Sequence, residues 1–129
     1  MVPVEAVHTV EDHLRDKPPS SVALFRRFVE LIEACGPVTW QVERTMISFH
    51  GTRRKFAGAL PTSRGLAGFF DLQHQVRGDP RIRRANPYTK RLFVHGFRVT
   101  TLEELDDQFA GWLCEAYLVG QGAHIQRPF

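Results

Sequence analysis

The sequence predicts an α+β domain: an antiparallel sheet of four to five strands with amphipathic helices packed on one face. Helical periodicity sits at both ends of the chain and strand-like alternation is gathered in the middle, which favours a segregated α+β layout over alternating β/α units. The second and last helices each carry a single apolar stripe, so both must cover the same side of the sheet. At 129 residues the chain fits one domain, 1–129, with 123–129 as a loose tail.

Thr9 followed by Asp12 reads as a capping box opening a short helix through Leu14. Lys17-Pro18-Pro19-Ser20 breaks it, and a second helix runs from about Ser21 to Cys35 with Val22, Phe25, Phe28, Val29 and Ile32 as its stripe. Gly36-Pro37 stops that helix. Val38, Trp40 and Val42 alternate with polar residues, as do Ile47 and Phe49. Lys55 to Leu60, the apolar run Leu66 to Leu72, and Leu92 to Val99 read as further strands, the second of them central. Arg77 to Lys90, interrupted by Asp79-Pro80 and Asn86-Pro87, reads as an irregular basic stretch. Thr101 and Glu104 form a second capping box, predicting a last helix with Leu102, Leu105, Phe109, Trp112, Leu113, Ala116 and Tyr117 on its apolar face. The face of the sheet away from the helices should carry Gln41, Glu43, Ser48, His50 and Arg98.

Charge is unevenly placed. Residues 1–43 carry four basic and seven acidic side chains, residues 44–98 twelve and two, and residues 99–129 one and five. The basic middle segment holds the candidate anion-binding residues Arg53, Arg54, Lys55, Arg81, Arg83, Arg84, Lys90 and Arg91, with Tyr88 and Phe93 interleaved. Arginine suits bidentate contact with phosphate or carboxylate, and aromatics among arginines suit base stacking. The implied partner is anionic, either a nucleic acid or an acidic protein surface.

Other classes find less purchase. No run approaches the roughly 18 apolar residues needed to span a bilayer, so no membrane partner is expected. No secretory signal is visible, and Cys35 and Cys114 read as buried helix thiols rather than a disulfide framework, which points to the cytoplasm. The sequence holds no Gly-x-Ser-x-Gly elbow, no phosphate-binding glycine loop and no local metal-ligand motif. No catalytic residue, metal or cofactor is assigned. His50, His74 and His95 fall in or beside strands and could converge on a metal if their strands pair, with His50 and His95 as the candidates and Glu43 and Asp71 as carboxylate company. An unrecognised enzyme on the polar sheet face is a third reading.

Several segments together resemble a known family: Lys17-Pro18-Pro19, Gly36-Pro37-Val38, Thr45-Met46-Ile47-Ser48-Phe49, Phe56-Ala57-Gly58, Asp79-Pro80-Arg81-Ile82-Arg83, Val94-His95, and Leu105-Asp106-Asp107 with Trp112-Leu113-Cys114-Glu115-Ala116-Tyr117. From about Thr9 to Gly120 the chain is similar to a bacterial domain of unknown function sometimes labelled a predicted transport protein. That domain is similar in layout to YdhG-like α+β domains, some of which are described as frataxin-like iron chaperones. The resemblance implies the fold above and supplies the alternative function, an iron-chaperone-like metal binder. The leading reading is a small non-catalytic binding domain engaging an anionic partner through arginine-rich loops.

Overall fold

The computed structural model describes residues 9–89 and 91–125. The first helix, α1 (Val10–Leu14), is closed at its start by the reciprocal box: the Thr9 hydroxyl accepts the Asp12 amide and the Asp12 carboxylate accepts the Thr9 amide. The second, α2 (Pro19–Glu33), begins at Pro19 rather than Ser21, because proline in a first turn lacks only an N–H that would have no intrahelical acceptor. Its buried stripe is Leu24, Phe25, Phe28, Val29 and Ile32; Leu24 takes the place expected of Val22, which is only half-buried. Gly36 follows at φ 151°, and a β-carbon there would collide with the Tyr117 ring.

Six strands follow: β1 (Thr39–Val42), β2 (Ile47–His50), β3 (Lys55–Pro61), β4 (Leu66–Leu72), β5 (Ile82–Thr89) and β6 (Leu92–Val99). They form one open antiparallel sheet in the order β1-β2-β3-β4-β6-β5. The sheet is therefore larger than the four to five strands expected. The addition is β5, which occupies the stretch expected to be irregular. It lies at the sheet edge, where Pro87 can sit without breaking an interior ladder, and its pairing with β6 shifts register twice. Charged side chains, a proline and irregular pairing also blunt this edge against further strand addition.

The box at Thr101 and Glu104 closes a 3-10 turn, Leu102–Glu104, rather than the last helix. That helix, α3 (Asp107–Gly120), has its own N-cap, Asp106, whose carboxylate accepts the Phe109 amide at 2.9 Å. Leu102 consequently stands half exposed, outside the stripe it was expected to join, while Leu105, Phe109, Trp112, Leu113, Ala116 and Tyr117 are buried. Of the expected loose tail, Ala123–Ile125 form a 3-10 turn and residues 126–129 lie outside the described residues.

The core lies between the helices and one sheet face. Phe28, Phe49, Phe70, Phe97 and Phe109 are essentially inaccessible, with neighbouring ring centroids 5.1–6.4 Å apart. Their mixture of stacked and edge-on arrangements is the one aromatic quadrupoles favour. Cys35 and Cys114 are not separate thiols: they are joined by a disulfide, with Cα atoms 5.4 Å apart, that ties the end of α2 to the middle of α3. Pairing depends on how α2 and α3 pack, which the spacing of two cysteines 79 residues apart does not disclose. The disulfide removes the thiol argument for a cytoplasmic location. Among the described residues no helix is long and apolar enough to cross a membrane.

Candidate functional site: the open face of the sheet

With the helices on one side, the other face of the sheet has no layer over it among the described residues. Strand alternation places Ser48, Gly58, Phe69, Gly96 and Arg84 on this face, and the ladder register aligns them in one row: Ser48 opposite Gly58, Gly58 opposite Phe69, Phe69 opposite Gly96, and Gly96 opposite Arg84. The two glycines matter because they flank the ring. A β-carbon at Gly58 would come within 2.7 Å of the Phe69 ring and of the Met46 sulfur, and one at Gly96 within 3.2 Å of the Arg84 stem. The Phe69 ring and the Arg84 side chain therefore lie down over bare backbone. The next row aligns Leu60, Ala67 and Arg98; the row on the other side aligns Asp71, Val94 and Asn86.

These rows form a trough. Its middle is a groove of about 620 Å³ lined by Met46, Leu60, Phe69 and Val94 and by Arg83, Arg84 and Arg98. Beyond Ala67 it continues into a space of about 690 Å³ beside the Thr62–Gly65 turn, where Arg64 and Glu104 also stand. Beyond Phe69 it reaches a smaller space of about 430 Å³ lined by Arg54, Lys55, Asp71, Tyr88 and Val94. Arg83, Arg84 and Arg98 are exposed, and among the described residues none of their guanidinium groups has a carboxylate partner. The result is an apolar, partly aromatic floor beside three cations that form no ion pair among the described residues, with Glu104 standing in the adjoining space.

The structure separates the residues that the sequence grouped together. Arg83 and Arg84 stand on the trough, joined by Arg98, which the sequence placed on this face but not among the anion-binding candidates. Arg54 lies at the trough's far end, donating to Asp71 Oδ2 at 3.1 Å with its guanidinium 5.4 Å from the Tyr88 ring centroid. Lys55 beside it is paired with Glu43 at 2.7 Å. Arg53 and Arg91 turn toward the end of α3: Arg53 packs against Gly122, and Arg91 donates to the His124 carbonyl at 3.0 Å. Lys90 lies outside the described residues.

Arg81 has a different part. It is 7% exposed, although the sequence placed it among the anion-binding arginines of an irregular basic stretch. Nε and Nη2 hold Asp79 in a fork at 3.0 and 2.8 Å, Nη2 also reaches Gln108 at 2.7 Å, and Nη1 bonds the Glu104 carbonyl at 2.7 Å and Asp106 at 2.8 Å. The guanidinium sits 4.8 Å from the Trp112 ring centroid. A guanidinium has five N–H donors, and this one directs all five at the protein. Hydrogen bonding from Arg81 holds the Asp79 carboxyl below the usual carboxylate range, and Arg81 itself is held more firmly protonated.

The histidines do not assemble a site. His95 is buried on the helix side, stacked on Phe70 at 5.5 Å. Its Nε2 accepts the Val76 amide at 3.0 Å, so Nδ1 carries the proton and donates to the Phe93 carbonyl at 3.0 Å. Burial lowers its pKa. His50 lies across β2 and β3 from Lys55; burial first, then the lysine charge, lowers its pKa. Among the described residues there is no group of three or more histidine, cysteine or acidic side chains placed to hold a metal.

Asp71, which the sequence offers only as carboxylate company for those histidines, stands apart from them in its surroundings. It is 2% exposed although it belongs to the open face, and its Oδ1 has no hydrogen-bond partner among the described residues. Burial pushes its carboxyl up to about 6, against the pull of Arg54. A buried carboxylate oxygen without a partner is costly.

Fold and trough together define a small α+β domain with an open antiparallel sheet of six strands. The chain belongs to a family described as a domain of unknown function (DUF5655), whose model matches residues 10–120. No curated protein and no solved structure matches it, so the transport and YdhG-like labels rest on resemblance alone.

Proposed function

We propose that this is a non-catalytic binding domain that takes an anionic partner on the open face of its sheet. The observation that supports the reading is the convergence of Arg83, Arg84 and Arg98 on one apolar groove, with no ion pair to a carboxylate among the described residues. Three guanidinium groups beside a floor of Met46, Leu60, Phe69 and Val94 suit a ligand with anionic groups and an apolar or planar body. The arginine-rich loops named by the sequence give way here to a strand surface, with Arg98 in place of Arg81.

Retention on immobilised heparin and its salt dependence test this. Wild-type protein should be retained at about 50 mM salt, where the Debye length still exceeds 10 Å. Log affinity should fall with log salt. Replacing Arg84 and Arg98 by alanine should make that slope shallower by about 0.7–0.9 for each anionic group no longer neutralised. Absence of retention at 50 mM salt, or a slope unchanged in the double variant, would refute the reading.

A further inference from the structure

We infer that the anionic partner is a single-stranded nucleic acid, with a base laid on Phe69, its amino edge turned to Asp71, and the backbone phosphates on Arg84 and Arg98. The inference rests on the anion-binding reading above and names its ligand.

Arginines alone would suit any polyanion. Two features of the trough narrow the choice. The first is the Phe69 row. A half-buried phenylalanine on an interior strand, with glycine in register on both sides, has no β-carbon beside it across the ladder, where the Met46 sulfur lies over Gly58 and the Arg84 stem over Gly96. The flat group that such a ring accepts is another planar ring, and base–aromatic stacking tolerates any base. Tyr88, 60% exposed, lines the adjoining space with Phe69, so a second planar surface is available along the same path.

The second feature is Asp71. A carboxylate is repelled by a purely anionic chain such as heparin, yet one stands at the end of this trough with an unpartnered oxygen. That oxygen is an acceptor open to a hydrogen-bond donor carried by a ligand. Nucleobases carry such donors on the same molecule as the phosphates: the exocyclic amine of cytosine is the group acidic side chains accept from in base recognition. Lys55 and Arg54 also face this space, but Lys55 is paired with Glu43 and Arg54 donates to the other Asp71 oxygen, so Oδ1 is the acceptor left over.

Scale and strandedness agree. From Leu66 to Leu72 the central strand advances roughly 20 Å at about 3.4 Å per residue, room for more than one nucleotide. Bases in a duplex are stacked on one another and paired along the edges that Asp71 would read. Only unpaired bases can use both Phe69 and Asp71, as in other open sheets that bind RNA by aromatic stacking.

The test is fluorescence anisotropy at about 50 mM salt with labelled oligonucleotides of equal length: oligo-dC, oligo-dT, their RNA counterparts, and a duplex. Single strands should bind at least tenfold more tightly than the duplex, and oligo-dC more tightly than oligo-dT. DNA against RNA shows which sugar is preferred. Phe69→Leu, which keeps apolar volume without a π face, and Tyr88→Ala, at an exposed position, should each weaken single-strand binding about tenfold and heparin retention far less. Asp71→Asn should level oligo-dC and oligo-dT. Heparin retention with no preference for single strands, or with Phe69→Leu and Tyr88→Ala without effect, would overturn the nucleic-acid assignment and leave the anion reading standing. Equal binding of oligo-dC and oligo-dT by the wild type would overturn the role given to Asp71. Absence of binding to both heparin and oligonucleotide would overturn both proposals.

Discussion

Truncating Arg81 to alanine separates structural arginine from binding arginine more sharply than any other single change. The substitution strips away five N–H donors at once, each of them hydrogen-bonded. Asp79, with a side chain only 17% exposed, loses its fork; Asp106, half exposed, recovers part of its loss from water. Breaking one partner out of a buried charge pair costs about 3–5 kcal/mol, and the half-exposed Asp106 arm adds less than about 1 kcal/mol. Loss of the cation over Trp112 adds about 0.5–2 kcal/mol. Relaxation and overlap among these contributions leave an expected loss of about 4 kcal/mol, a large part of the roughly 5–15 kcal/mol that holds most domains folded. Arg81→Lys keeps the charge but not the planar fork and should lose about half as much. Urea unfolding followed by tryptophan fluorescence measures both. At salt and temperature where the variant is folded, heparin retention should equal that of the wild type. A loss below about 1 kcal/mol together with weakened heparin retention would refute the reasoning and return Arg81 to the binding surface.

Two further outcomes follow from the same structure. Reducing the Cys35–Cys114 disulfide, or replacing both cysteines by serine, releases a loop closed over a separation of 79 residues and should lower stability by about 2–4 kcal/mol in urea; equal midpoints with and without reductant would contradict it. Asp71 has a folded-state pKa raised to about 6, so between about pH 4 and pH 6 the native state holds a proton that the unfolded chain has released, and wild-type stability falls with rising pH through that window. Asp71→Asn removes this dependence; its stability relative to wild type should improve from pH 4 to pH 6 and level off above, and a difference independent of pH would show that Asp71 titrates normally.

What the sequence disclosed, and what it concealed, follows from the range of the interactions concerned. The Thr9–Asp12 box, the α2 stripe and the central β4 run are local patterns, legible from spacing alone. The Thr101–Glu104 box is equally legible, but a second N-cap at Asp106 takes over the helix start, so a correct local motif points to the wrong boundary. β5 is hidden because prolines and charges, which argue against an interior strand, are tolerated at an edge. The disulfide and the Arg81 bonds to Glu104, Asp106 and Gln108 join residues far apart in the chain, so no spacing announces them. At the site, Arg83 and Arg84 stand out by charge. Gly58 and Gly96 do not, because their meaning comes only from ladder register with Phe69.

The disulfide also decides how this domain responds to force. Its two ends enclose every strand of the sheet, so tension applied at the chain termini passes through the bond between α2 and α3 and bypasses the sheet. In an optical trap the oxidised protein would extend only through segments outside Cys35–Cys114. Roughly 280 Å of contour, at about 3.5 Å per residue, would stay out of reach until reductant cut the bond. Under oxidising conditions the trough is thus carried on a mechanically unloaded sheet, and a ligand held there would feel no pull transmitted along the backbone.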